Sequence, residues 1–511
     1  MNTKTNNRLI EEKVIGLVAS TFGVSTDEVQ PKSRLADDFD ADSMEHVALM
    51  LAVEKAFGIT IPDADANRMK TVGDLVKYVQ QSTGKPHLNK SSENKEMKME
   101  KEKKEVTYES LIKLFERSVK TRWSYPAVSD YKISEESYGQ LAEKIEKLHI
   151  LWETAGLKKG DKIAINARSS SRWIEVFMAA LTGGYVSVEL FNGFRPADVQ
   201  QLVNHSDSRM LYTEKEIFAA MDFDAMPDVL AVVDMHTMEV LAARNGFAKA
   251  LEDTARIFAQ RHPDGLTAAD IRYDSFGMED VCAIMYTSGS TGNPKGVMLT
   301  VRNFSWNVYE IPAYMFPYLP NETYTSVLPY AHIFGLTCDV LIPMCMGMHV
   351  VVLGRPPIPS NVKEIMQDYR PRIFLAVPLI LSKFVEYAVG AEIKSEEGRK
   401  KLADYQHHPE FCNMLRDKVL STLGGRIEAF ATGGAAIPAD IEALLAFQIN
   451  MPFLTGYGLT ECAPVISAGH VGKYKSKSCG EVAPDLQVRI ASADPSQIPG
   501  EVQIKGDNVF A

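Results

Sequence analysis

Paired cysteines, long apolar runs and an excess of positive charge are all missing from this 511-residue sequence. Its six cysteines, Cys282, Cys338, Cys345, Cys412, Cys462 and Cys479, are scattered with no C-x-x-C pair. That spacing argues against a thiolate metal site and a disulfide framework, and a reducing cytoplasm is the simplest setting. The N-terminus, MNTKTNNRLI, has no apolar core of the signal-peptide kind, and no stretch approaches the roughly 20 apolar residues that cross a bilayer. Even the most apolar region, Val340 to Leu353, is broken by Pro343, Gly347 and His349. Lysine and arginine total 55 against 66 aspartates and glutamates, a net charge of -11. A phosphate backbone is repelled by such a chain, which excludes nucleic acid as an expected partner.

The chain does have the composition of a globular protein, 45% hydrophobic and 24% charged, at a length that suggests two to four domains. From Arg8 to Gln81 it reads as a small helical bundle. Leu9, Ile10, Val14, Leu17, Val18 and Phe22 mark a first amphipathic helix, and Met44, Val47, Ala48 and Leu51 a second. Val72, Leu75, Val76 and Val79 fall at i, i+3, i+4 and i+7, with Thr71 and Asp74 spaced as a capping box. Within this region Ser43 follows Asp42 at the start of the second helix. A nucleophilic serine needs a base and an oxyanion pocket, whereas Asp37, Asp38, Asp40, Asp42 and Glu45 surround this one and His46 lies in a poor direction. Taken alone, the Asp-Ser pair reads as a helix N-cap.

Residues 85–105 hold seven lysines and five glutamates with almost nothing to bury. Such a segment cannot repay its ordering entropy and reads as a solvated linker, about 25 Å across as a coil and about 70 Å when extended. The expected organisation is therefore a helical domain over 1–84, a linker over 85–105 and a large domain over 106–511. In the large domain, short apolar runs such as KIAIN (162–166), YVSVEL (185–190), VLAVVD (229–234), HVVVL (349–353) and RIFLAV (372–377) alternate with helical patterns. That alternation predicts parallel α/β sheets.

After the apolar run VCAIMY comes TSGSTGNPKG, Thr287 to Gly296. Hydroxyl side chains and glycines at this density leave backbone amides free to converge on phosphate oxygens, and Lys295 adds a movable cation. No glycine directly precedes Lys295 and no Ser or Thr follows it, so this is not a Walker A loop. A shorter piece would read as a flexible turn; the full stretch reads as an anion cradle.

The segment YTSGSTGNPKGVMLT (286–300) resembles the phosphate-loop signature of the adenylate-forming enzymes, which include acyl-CoA synthetases, aryl-acid ligases, luciferases and peptide-synthetase adenylation domains. In order and spacing, LPYAHIFG (328–335) resembles that family's acyl-pocket motif, TGGAAIP (432–438) its adenine loop, TGYGLTE (455–461) its nucleotide and magnesium motif, and GEVQIKG (500–506) a later strand. Val301 departs from the histidine that many relatives carry. The similarity spans roughly residues 106–511 and implies an α/β adenylate-forming domain of parallel α/β subdomains with a smaller β-barrel-like one. It further implies that Thr287, Ser288, Gly289, Ser290, Thr291, Gly292 and Lys295 hold the pyrophosphate end of ATP. Tyr457 and Gly458 would lie at the adenine, with Gly434 and Ala435 along its edge, Thr460 at the α-phosphate and Glu461 on Mg2+. His332 would lie at the carboxylate end of the acyl pocket, although a lone histidine is as readily a hydrogen-bonded core residue. Lys295, His332, Thr460 and Glu461 form the implied catalytic set, because a carboxylate attacking a phosphate needs cations and dipoles to offset the repulsion of two anions.

With that enzyme downstream, residues 40–79 resemble an acyl carrier protein, a four-helix all-α bundle, with Ser43 in the position that receives 4'-phosphopantetheine. The resemblance implies a phosphopantetheinyl transferase as partner, an acidic docking helix, and downstream acyl-transfer or condensing enzymes. It implies an acid-thiol ligase that forms an acyl-adenylate from ATP, Mg2+ and a carboxylic acid and passes the acyl group to a pantetheine thiol. Tethering raises the attached carrier to millimolar effective concentration, which favours self-loading over free coenzyme A as acceptor. FLAVPLILSKF (374–384) resembles long-chain fatty acyl ligases, with aryl and polyene acids left open. In the family the chain continues into a lid domain bearing a lysine, with no counterpart after Ala511, so residues 1–511 are expected to bind nucleotide but to adenylate poorly. Two alternatives stand beside this one: a coenzyme A ligase with a passenger carrier, and a non-catalytic nucleotide-binding scaffold.

Overall fold

A computed structural model describes the chain except residues 1–2, 23, 36–48, 51–52, 54–55, 58–60, 62–68, 83–107, 245, 288–293, 316–317, 493 and 496–497. Ser43, the charged linker and the phosphate-loop residues Ser288 to Gly292 therefore lie outside the described residues. Two compact units emerge, residues 1–107 with 288–295, and residues 108–287 with 296–511.

In the first unit, helices Thr3–Phe22 and Val72–Ser82 supply Val14, Val18, Val72, Leu75, Val76 and Val79 to a buried core that also takes Leu35, Leu49 and Val53. The capping box forms in both directions. The Asp74 amide donates to Thr71 Oγ1 at 3.2 Å and the Thr71 amide donates to Asp74 Oδ2 at 3.1 Å, satisfying two amides that the helix start leaves without partners.

In the second unit the largest sheet has seven strands in the order Val240–Ala243, Ala231–Asp234, Ser208–Thr213, Lys162–Asn166, Val186–Glu189, Val281–Thr287, Lys295–Thr300. The five strands from Ala231–Asp234 to Val281–Thr287 pair in parallel, and Val240–Ala243 closes one edge antiparallel. Alternate residues go to opposite faces. Ile163, Ile165, Ala283 and Met285 join a core with Trp173 and Phe177 of helix Ser171–Gly183. Ala164, Val188 and Ile284 join another with Val199 and Val203 of helix Pro196–His205. Burial on both faces is why these strands read as unbroken apolar runs.

A five-stranded sheet runs Ile373–Ala376, Ala429–Thr432, Phe453–Gly458, Val465–Ala468, Glu481–Val482, parallel through the first three and antiparallel thereafter. A four-stranded sheet sets Thr323–Ser326, His349–Val352, Pro126–Asp130 and Ser134–Ser137 side by side, and Gln487–Ala491 pairs with Glu501–Lys505 as an antiparallel ribbon. Among the described residues no helix is long and apolar enough to cross a membrane.

Glu189 is an anomaly inside the largest sheet. It sits opposite Ile165 and Met285 in register and is fully buried; one oxygen accepts from the Ser187 hydroxyl and Oε2 has no partner. Burial pushes its carboxyl up to about 8, so the protonated acid is the resident form at neutral pH. The folded value lies above the ordinary one, so the stability tied to this proton is complete below about pH 4.5 and is lost as pH rises through 8. Glu189→Gln, a neutral near-isostere, is expected to flatten the pH–stability curve by roughly 4 kcal/mol between pH 5 and 9, read by denaturant titration at each pH. A curve parallel to that of the parent chain would show that Glu189 does not carry the proton.

Candidate active site

Three parallel strands of the five-stranded sheet end together, and their carboxyl ends carry the motif segments. Thr432 is in register with Thr455, so Gly433, Gly434 and Ala435 emerge beside Gly456, Tyr457 and Gly458. A Cβ on Gly433 would stand 3.2 Å from the Gly456 carbonyl oxygen and 3.8 Å from the Phe334 ring, and one on Gly434 3.9 Å from Val377. Four segments distant in sequence thus meet at one crevice, the usual place for a ligand in an open α/β sheet. Gly434 and Ala435 are exposed along it and Tyr457 is half-buried. Partial burial raises the Tyr457 phenol above its ordinary value.

Beyond Tyr457 the chain folds back on itself. A Cβ on Gly458 would come within 2.1 Å of the Pro464 carbonyl oxygen, so only glycine allows the approach. The Leu459 amide donates to that oxygen at 2.9 Å, and residues Thr460–Cys462 close the bend as a 3-10 turn. Thr460 and Glu461 are presented there, half-buried. Among the described residues the Glu461 carboxylate has neither a hydrogen bond nor an ion pair. One unshared hard oxygen donor suits Mg2+, which keeps most of its ligands as water and phosphate oxygens. No cluster of three or more metal-ligating side chains occurs among the described residues.

His332 caps the short helix Ile333–Gly335. Its Nδ1 accepts from the Phe334 amide at 3.2 Å, which leaves Nε2 as the protonated nitrogen of a neutral ring. The residue is exposed by surface area, yet the protein crowded around it pulls the imidazole below its ordinary value. Sequence reasoning missed the residue that fixes this segment. Asp339, fully buried in the π-helical stretch Leu336–Leu341, accepts from Tyr324 Oη at 2.7 Å, Ser326 Oγ at 2.9 Å, the Val327 amide at 3.1 Å and the Leu328 amide at 3.0 Å. Four donors hold the entry to LPYAHIFG on one carboxylate, while burial still pushes that carboxyl up to about 6. An acid alone in LTCDVL was the available signal.

Of the phosphate loop, the structure describes the flanks. Thr287 ends the strand Val281–Thr287, half-buried, and Lys295 opens the strand Lys295–Thr300 with its side chain exposed. The Tyr286 hydroxyl meets His205 Nδ1 at 2.7 Å, anchoring the base of the loop to helix Pro196–His205. Strand Lys295–Thr300 runs straight into helix Val301–Tyr314 through a second capping box, with the Thr300 amide donating to Asn303 Oδ1 at 2.8 Å and the Asn303 amide donating to Thr300 Oγ1 at 3.3 Å.

Residues 115–511 match the family described as AMP-binding enzyme, well over half of the chain. The chain belongs to the AMP-binding enzymes. Residues 12–79 match a second family, the phosphopantetheine attachment site. Human long-chain-fatty-acid–CoA ligase 1 is 24% identical over 446 residues, covering 78% of this chain and 61% of that protein. Arabidopsis thaliana long chain acyl-CoA synthetase 7, peroxisomal, is 25% identical over 420 residues, covering 75% of this chain and 57% of its own. The chain thus spans about three fifths of the length of the curated relatives it matches. Among solved structures, the anthranilate CoA ligase AuaEII in complex with anthranoyl-AMP superposes with a TM-score of 0.61 at 16% identity, over 79% of this chain and 70% of that one. The N-terminal domain of FACL13 from Mycobacterium tuberculosis gives 0.60 at 19%, over 78% and 90%. These low identities establish the fold. In this AMP-binding enzyme the carrier-like match lies N-terminal to the AMP-binding match, the order read from the motifs.

Proposed function

We propose that the protein activates a fatty acid with ATP and Mg2+ and transfers the acyl group to a 4'-phosphopantetheine arm on Ser43. The observation that carries this reading is the convergence of the TGGAAIP, TGYGLTE and AHIFG segments at one crevice, beside a Glu461 carboxylate that has no partner among the described residues. Tyr457 and Gly458, with Gly434 and Ala435, bind the adenine. Thr460 contacts the α-phosphate, and Thr287, Ser288, Gly289, Ser290, Thr291, Gly292 and Lys295 take the β- and γ-phosphates.

A carboxylate oxygen of the acid attacks the α-phosphorus, and the bond to pyrophosphate breaks. Glu461 would hold Mg2+, which would offset the phosphate charge while two anions approach, and the His332 Nε2–H donates to the acid's carboxylate. The arm on Ser43 would supply the acceptor thiol: a bond from its sulfur to the acyl carbon would replace the bond to AMP, which would leave with the former carboxylate oxygen, the thiol proton going to solvent. The domains are 1–84 for the carrier, 85–105 for the linker and 106–511 for the large adenylation domain, with a transferase and acyl-consuming enzymes as partners in the cytoplasm.

A second reading is favoured by the names of the relatives, which are coenzyme A ligases: a fatty or aryl acid passes to free coenzyme A and the carrier is a passenger. Pyrophosphate release from the protein across a panel of fatty and aryl acids, followed by mass analysis of the pantetheine arm and of added coenzyme A, separates the two. Acyl mass on the arm with a long-chain acid is the expected result. Acylation of coenzyme A alone replaces it with the second reading, and no pyrophosphate with any acid leaves a nucleotide-binding scaffold.

A further inference from the structure

The bend that carries Thr460 and Glu461 is held in an unusual way. Three consecutive carbonyl oxygens each receive a donor from a different segment of the chain. The Phe510 amide donates to the Glu461 oxygen at 2.8 Å, Asn307 Nδ2 to the Cys462 oxygen at 3.0 Å, and Thr337 Oγ1 to the Ala463 oxygen at 2.9 Å. Asn307 Oδ1 also accepts from the Val465 amide at 3.1 Å, so one side chain grips both sides of the bend. Asn307 and Thr337 are fully buried. Such polar side chains are retained in a core only where their hydrogen-bonding atoms are used; Asn307 Nδ2 also donates to the Asn303 oxygen of its own helix at 2.9 Å, and its remaining bonds and the Thr337 hydroxyl go to the backbone of the bend.

The origins of the three donors add to the picture. Asn307 stands on helix Val301–Tyr314, which continues directly from the strand after the phosphate loop. Thr337 stands in the π-helical stretch five residues after His332. Phe510 belongs to the segment Asp507–Phe510, which Asn303 of the same helix holds through Nδ2 to the Asp507 and Val509 oxygens at 2.9 and 2.7 Å. The turn has no ladder of its own beyond its closing bonds, and a three-residue 3-10 turn has poor hydrogen-bond geometry and little intrinsic persistence.

We infer that Asn307 and Thr337 are positioning residues: they fix the Glu461 turn so that its carboxylate meets a magnesium–nucleotide complex without a reorganisation cost. This rests on Glu461 as the magnesium ligand. Partners behind a ligand set its orientation, and their loss weakens metal affinity by about 10- to 100-fold. An octahedral Mg2+ tolerates little displacement.

The test uses the full chain and ATP itself, with bound nucleotide read calorimetrically at rising Mg2+. Thr337→Val keeps the shape and deletes the hydroxyl, Thr337→Ser keeps the hydroxyl, and Asn307→Ser shortens the other grip. Thr337→Val and Asn307→Ser are expected to raise the half-saturating Mg2+ concentration by roughly 10-fold, while Thr337→Ser stays near the parent value. Glu461→Gln, run alongside, raises it further. If Glu461→Gln shifts the magnesium dependence and neither Thr337→Val nor Asn307→Ser does, whatever their melting temperatures, the clamp is only a packing feature and the inference fails. If Glu461→Gln leaves the magnesium dependence unmoved, Glu461 is not the ligand, and the underlying reading falls together with this one.

Discussion

Ser43→Ala is expected to abolish thioester formation on the full-length protein and to leave pyrophosphate release from acid and ATP within about two-fold of the parent, because separate sites act additively. The reasoning begins with what Ser43 lacks. Five carboxylates crowd its neighbourhood in the sequence and no base is suitably placed, so it is a poor nucleophile of its own. As an attachment point it needs no activation by neighbours, because the transferase supplies the base, and the acidic surroundings become a surface for a basic partner. Deleting one hydroxyl then removes the arm and with it the acceptor thiol, an all-or-none loss. Intact-mass analysis after incubation with a pantetheinyl transferase, coenzyme A, fatty acid and ATP reads both the arm and its load. A parent protein that never gains the arm, or an alanine variant that still carries a thioester, would remove the carrier from the reaction sequence.

How much of this was legible beforehand depended on whether the deciding interactions were local. The capping box at Thr71 and Asp74 lies within four residues and formed as spaced. GEVQIKG, named from its resemblance, became the largely exposed strand Glu501–Lys505, whereas the apolar runs KIAIN, HVVVL and RIFLAV became Lys162–Asn166, His349–Val352 and Ile373–Ala376. Strands buried on both faces announce themselves as apolar runs. The strands Pro126–Asp130 and Thr323–Ser326 do not. Their sequences, PAVSD and TYTS, are half polar, and each becomes a strand by pairing in parallel with His349–Val352. For Pro126–Asp130 that partner is more than 200 residues away, a contact no local pattern encodes.

The candidate site divides along the same line. The residues proposed to face a ligand were named from the motifs that resemble the adenylate-forming enzymes. Asn307, Thr337 and Asp339, which hold those residues in place, were not. Each acts across the fold, from Thr337 to Ala463 or from Asp339 to Tyr324, and an isolated polar residue in an apolar helix gives no hint of its partner.

Glu461→Gln is expected to slow ATP–pyrophosphate exchange by roughly 100- to 1,000-fold with the melting temperature unchanged. The contrast with Glu189→Gln shows why one substitution has two different consequences. Glu189 is enclosed in the sheet with one oxygen unpartnered, and its proton is held by burial. An amide there replaces a neutral acid and alters only how stability responds to pH. Glu461 is half-exposed on a turn whose backbone, not its side chain, supplies the hydrogen bonds to the fold. An amide there leaves every one of those bonds in place but offers Mg2+ a neutral oxygen where a charged one stood. Because the phosphate charge must be offset as the acid's carboxylate approaches, the loss falls on the transition state and appears in the exchange rate. Exchange that survives at the parent rate would mean that the cation is held by the nucleotide alone. A drop in melting temperature matching the drop in rate would mean that the side chain carries structural weight which its lack of a partner among the described residues does not suggest.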